Sequence, residues 1–88
     1  MKSKTQFVVL EWYNGNLEDF VKFEIEDAPM AYQMSLKYIK QLEQRCEEMN
    51  TTCIVRKGVM PDGSFSIKLE TDTETYELDG YFDDQAIC

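Results

Sequence analysis

The sequence predicts an α+β domain of order ββαβββ, a mostly antiparallel sheet with one long helix packed across one face. Three observations carry this. An Asn14-Gly15 dipeptide joins two β-rich runs. An apolar stripe at three- and four-residue spacing then runs from Ala28 to Met49, and further β-type runs follow it. With 88 residues the chain is expected to form a single domain over 1–88. A chain of this size buries only about 60–65% of its unfolded surface, which is enough for one core.

The first element is "TQFVVLEWY-NG-NLEDFVKFEIE". Asn-Gly is the preferred pair for a type I′ hairpin turn because both positions need positive φ. A strict two-residue loop sets Tyr13 opposite Asn16, Trp12 opposite Leu17, Leu10 opposite Asp19 and Val8 opposite Val21. On that register Val8, Leu10, Trp12, Val21, Phe23 and Ile25 form the core face. The other face carries Phe7, Val9, Tyr13 and Phe20, with Glu11 opposite Glu18. Like charges so placed cost a few tenths to about 1 kcal/mol unless a cation such as Lys22 or Lys68 stands nearby. A face this apolar calls for a second layer or a partner.

Asp27 is the expected N-cap of the helix, and Pro29 is tolerated in a first turn whose amides lack partners anyway. Ala28, Ala31, Tyr32, Ser35, Tyr38, Ile39, Leu42, Cys46 and Met49 form the buried stripe, and Asn50 supplies a left-handed stop. "TTCIVRKG" predicts a third strand and Pro61-Asp62-Gly63 a turn. "SFSIKLE" alternates Phe65, Ile67 and Leu69 against polar residues. In "ETYELD" Tyr76 and Leu78 face one way and Thr75, Glu77 and Asp79 the other, with Gly80 expected to end the run.

Seventeen acidic against nine basic residues, and no histidine, give a net charge of −8. Such a surface repels nucleic-acid phosphates and anionic membranes and favours basic protein partners. No signal peptide is expected, and no run approaches the roughly 20 apolar residues of a membrane span. Three cysteines without a CxxC pair argue against a disulfide framework and the usual zinc sites, and a reducing cytoplasm is expected. General acid–base catalysis lacks its usual histidine, Cys46 and Cys53 have no evident activating base, and no phosphate-binding glycine loop exists. The expectation is a protein that is not an enzyme and needs no cofactor or metal.

The stretch "TDTETYELDGYFDD" sets six carboxylates and three aromatics into fourteen residues without a cation. As a calcium loop beginning at Asp72 it fails, because Tyr76 and Glu77 fall where a ligand and a glycine are required. A looser site from Asp79, Asp83 and Asp84 is disfavoured. Two readings stay open. One is a solvated edge strand guarded by charge. The other is a phosphate-like array, since alternate strand residues lie about 6.5–7 Å apart, close to the spacing of consecutive phosphates. On the second reading the partner-binding residues are Glu74, Glu77, Asp79, Asp83 and Asp84, with Tyr81 and Phe82 beside them. Glu11, Glu18 and Phe20 join them from the hairpin. The outer hairpin face is either covered by the C-terminal "GYFDDQAIC", through Tyr81, Phe82 and Ile87, or left as a contact surface.

The segment "FVVLEWYNGNLEDFVKFEIEDAPMAYQMSLKYIKQLEQRCEEMNTTCIV", residues 7–55, resembles the Dmd family of small T-even phage antitoxins. The likeness rests on an apolar strand ending in Trp12-Tyr13, a second strand, a helix and a cysteine-bearing strand. It implies a small phage protein that binds and blocks a host protein, and it assigns no residue a role. The function expected is therefore an acidic protein-binding inhibitor, phage- or mobile-element-encoded, working in the host cytoplasm. It would act against host defence by occupying the basic groove of a nucleic-acid enzyme with carboxylates. The alternative is a structural or assembly accessory domain, a monomer or a homodimer through an open sheet face.

Overall fold

The computed structural model describes residues 4–85. Strands β1 (Lys4–Tyr13) and β2 (Asn16–Phe23) are followed by a 3-10 turn at Ile25–Asp27 and helix α1 (Ala28–Glu48). Strands β3 (Ile54–Val59), β4 (Phe65–Glu70) and β5 (Thr75–Gln85) complete the described residues. The five strands form one sheet in the order β2-β1-β5-β4-β3, antiparallel throughout. The fold is thus the α+β ββαβββ arrangement that the sequence predicts, and α1 lies over β4 and β5.

Local chemistry sets the boundaries. Asn14 (φ 50°) and Gly15 (φ 83°) both take the positive φ of the hairpin turn. Asn14 also ties the turn to the start of β5, its N–H donating to the Thr75 carbonyl and its Oδ1 accepting from the Thr75 N–H, both at 2.8 Å. At the helix C-terminus Asn50 is left-handed (φ 56°). The Thr51 N–H reaches the Cys46 carbonyl at 2.8 Å and the Asn50 N–H the Glu47 carbonyl at 3.1 Å, the paired bonds of a Schellman stop. Asp27 is the N-cap but its side chain makes no capping bond, the 3-10 turn that it ends leading the chain into the helix. Between β3 and β4, the Gly63 N–H returns to the Met60 carbonyl at 3.0 Å with Gly63 at φ 101°.

The hairpin departs from the strict register. Glu11 pairs with Asp19 while Trp12 pairs with Leu17, so Glu18 is an extra residue forming a bulge. One inserted residue exchanges the faces of everything beyond it. Phe7 now pairs with Phe23 and Val9 with Val21, and these four face the helix. Of the expected core face, Phe23 packs against the core, and Val21 is on the same side but 49% exposed. Val8, Leu10 and Trp12 share the opposite face with Phe20, where Val8 is nonetheless buried at 3% exposure. Glu11 faces Asp19, not Glu18, and accepts a hydrogen bond from the Tyr38 hydroxyl at 3.1 Å. Ile25 lies in the 3-10 turn, outside the strand and exposed.

The core consists of Phe7, Val9, Ala31, Ile39, Phe65, Ile67, Leu69 and Leu78. Phe7, Ile67 and Leu69 have no exposed surface at all (0%). The helix stripe is as expected except that Met49 is exposed and Leu36 packs against the core. Small residues, Ala31 and Ser35, face the sheet, and the Ser35 hydroxyl is satisfied by the Ala31 carbonyl at 2.9 Å.

Gly80 does not end a strand. It lies in mid-β5, opposite Val9 and Phe65, because the Phe65 ring occupies the space a side chain would need. A Cβ there would lie 2.3 Å from Phe65 Cε2. Glycine in a strand interior is otherwise unfavourable, so close approach is its reason. Gly80→Ala should accordingly destabilise by about 1–3 kcal/mol despite alanine's lower backbone entropy cost. Gly80→Ala with Phe65→Leu should lose less than the sum of the two single changes, measured by urea unfolding. Additive losses would show that the ring does not depend on the glycine.

Residues 80–85 of the C-terminal stretch continue β5 rather than folding over the hairpin. Tyr81 stands opposite Val8 on the helix-free face, while Phe82 turns inward and meets the Phe7 ring edge-on at 4.9 Å. Ile87 and Cys88 lie outside the described residues.

Candidate functional site

Alternation along β5 sends Tyr76, Leu78 and Phe82 toward the helix and Glu77, Asp79, Tyr81 and Asp83 the other way. Among the described residues no element packs over this second face. It therefore presents three zones. On β1 and β2 lie Val8, Leu10, Trp12, Leu17 and Phe20. The carboxylates run down the middle on β5, and Lys68 and Arg56 follow on β4 and β3. Leu10 sits between Phe20 and Asp79, and Trp12 between Leu17 and Glu77.

Glu77 and Asp79 lie two residues apart on the same face of β5. A hydrogen bond between them, followed by burial and then the Asp79 charge, raises the Glu77 carboxyl above its usual range, with Lys68 acting in the opposite direction. The pair is one concentrated anionic site, suited to a lysine or arginine head. A carboxyl raised in the folded state favours folding below its unfolded value, and that contribution is lost as pH rises through the folded value. At neutral pH the pair is thus a cost. Glu77→Gln should melt higher than the unmodified protein at pH 7, by up to about 2–4 °C. The gap should close as the pH falls toward 4.5, the ordinary glutamate value. A gap independent of pH would show that the raised Glu77 carboxyl is not its cause.

Trp12 contributes a further feature. Its indole Nε1 is buried without a hydrogen-bond partner among the described residues. An unpaired buried donor costs about 1–3 kcal/mol. It lies on the open face and borders a concavity shared with Lys68, Thr75 and Glu77.

The remaining expected residues divide. Phe20 is on the open face and 54% exposed, with Lys22 6.0 Å from its ring centroid. Glu18 projects from the exposed bulge at the sheet edge. Asp84 pairs with Thr5 at the end of β5. Three residues are on the helix side and belong to the fold. Glu11 receives Tyr38, and Phe82 packs on Phe7. Glu74 accepts the hydroxyls of Tyr13 at 2.6 Å and Tyr76 at 3.2 Å. The Glu74 bond is the main reason Tyr13 is pushed up to about 12. Leu10, Trp12 and Lys68 were missed as members of the face. Trp12 and Leu10 fall in register with the acidic positions of β5, a signal that only the β1–β5 pairing reveals.

Cys46 and Cys53 are free and half-buried. Burial, then the neighbouring Cys46, raises the Cys53 thiol, which opposes nucleophilic use. Among the described residues no group of three or more histidine, cysteine or acidic side chains is placed to hold a metal ion, and no helix is long and apolar enough to cross a membrane. Compared with protein-family models, curated proteins and solved structures, the chain matches none of them.

Proposed function

We propose that this protein acts by contact, as an acidic binding protein whose open sheet face seats on a basic surface of a partner. The observation that carries the reading is the juxtaposition on that face of the Glu77–Asp79 pair with Trp12, Leu10, Tyr81 and Phe20. Aromatic and aliphatic groups supply a desolvated anchor, and the carboxylates supply orientation and rapid encounter.

The partner class that fits best is a nucleic-acid-binding enzyme, whose basic groove the carboxylates would occupy in place of phosphates. An inhibitor of host defence carried by a phage or mobile element is a role of this kind, exercised in the host cytoplasm. No catalytic step, cofactor or metal is assigned. The apolar half of the face also favours a second reading, a homodimer or assembly joint through Leu10, Leu17 and Phe20. Capture from a bacterial lysate at two salt concentrations separates the two. A basic partner held at low salt and released at high salt supports the first reading. Concentration-dependent dimerisation with no captured protein supports the second.

A further inference from the structure

The terminal strand β2 has no partner along its outer edge among the described residues, and all of it but Phe23 is exposed. Because α1 rests over β4 and β5, it leaves a wedge between itself and β2 on the helix side of the sheet. That wedge is a groove of about 170 Å³. Val9 and Leu78 form its floor, Val21 its strand wall, and Met34 and Tyr38 its helix wall. Val21 and Met34 are both about half exposed, at 49% and 54%. An edge strand beside an apolar trough is the arrangement by which proteins add an extended segment, main-chain bonds giving affinity and the trough taking alternate side chains.

Charge selects the occupant. Glu11 and Asp19 line the groove, and Glu18 projects from the adjoining bulge. Lys22, the nearby cation, belongs to the opposite face. A second copy pairing antiparallel through its own β2 in a register centred on Glu18 and Asp19 would set like charges opposite one another, which is unfavourable. A register centred on Phe20 would instead set Glu18 opposite Lys22, so self-association is an outcome that the test must read. The edge also carries a guard: the Phe20 N–H donates to Asp19 Oδ1 at 2.8 Å. An arriving strand replaces that bond and leaves the Asp19 carboxylate for a cation.

We infer that the β2–α1 groove docks an extended, lysine- or arginine-bearing segment of another protein, which pairs along β2 as a sixth strand. This surface lies across the sheet from the open face, so the two readings fail separately. The test is selection from a displayed library of random ten-residue peptides, followed by titration of the most enriched synthetic peptide into the full chain. Enriched peptides should alternate apolar residues with lysine or arginine. Binding should slow amide exchange along β2 and shift the signals of Met34 and Tyr38. Met34→Arg, at an exposed position, should weaken binding at least tenfold while circular dichroism stays unchanged. Glu77→Lys with Asp79→Lys should leave peptide binding within twofold. No enrichment, enriched peptides without cations, or shifts confined to Glu77, Asp79 and Lys68 would each overturn the inference. So would self-association of the chain in the absence of peptide, detected by sedimentation and abolished by Met34→Arg.

Discussion

Phe7→Ala should destabilise the protein by about 3–5 kcal/mol, a large part of the total stability of about 5–15 kcal/mol that domains generally hold. Phe7 has no exposed surface and touches rings on two sides, Phe65 at 5.8 Å and Phe82 at 4.9 Å between centroids. Removing it opens a cavity at the centre of the sheet, which rigid neighbours cannot fill. At about 4–8 °C per kcal/mol the melting temperature should fall by at least about 12 °C. Leu10→Ala, only three positions away but half-buried on the open face, should cost less, about 1–2 kcal/mol. A strict two-residue hairpin demands the reverse order, with Leu10 in the core and Phe7 outside. Thermal melts of the two variants decide between the registers.

That contrast marks where the sequence was legible. Helix α1 was clear because its stripe has one period and its stop, Asn50, has one conformation. β4 was clear because Phe65, Ile67 and Leu69 alternate against polar residues. β1 was not, because Phe7-Val8-Val9-Leu10 is apolar on both faces and alternation cannot rank them. The bulge then decided the matter. Leu17 and Phe20 lie three apart yet share a face, a spacing that alternation forbids and one extra residue restores. Gly80 misled for a different reason. Its need for space is set by Phe65, fifteen positions earlier, and only the β4–β5 pairing brings them together. The candidate site was legible in its carboxylates and hidden in its neighbours. Glu77, Asp79, Tyr81 and Asp83 share a face as alternation requires. Glu74 and Glu11 look equally available in sequence but are engaged by tyrosine hydroxyls.

Glu77→Lys with Asp79→Lys should reduce partner binding by well over tenfold, because it replaces the anionic centre of the open face with cations facing a basic partner. The new side chains also stand beside Lys68, whose strand pairs Lys68 with Glu77. That like-charge contact costs at most about 1 kcal/mol and leaves the fold intact. The unmodified protein should lose affinity steeply with added salt, since attraction between exposed charges is screened beyond roughly 8–10 Å at physiological ionic strength. Phe20→Ala gives a complementary signature. Its ring is exposed, so the variant should fold normally and bind more weakly with the same dependence on salt. Charge and anchor are then separable contributions, measured by titration calorimetry at two ionic strengths.

The location of the contact is the central claim, and the most direct measurement is an NMR footprint. Isotope-labelled protein is titrated with the partner recovered by capture at low salt, and amide signals are followed along the whole chain. The predicted result is shift or broadening at Leu10, Trp12, Glu77, Asp79 and Tyr81, neighbours across β1 and β5 on the face that no helix covers. Perturbation confined to α1 and β3, with the β5 signals unmoved, would contradict it.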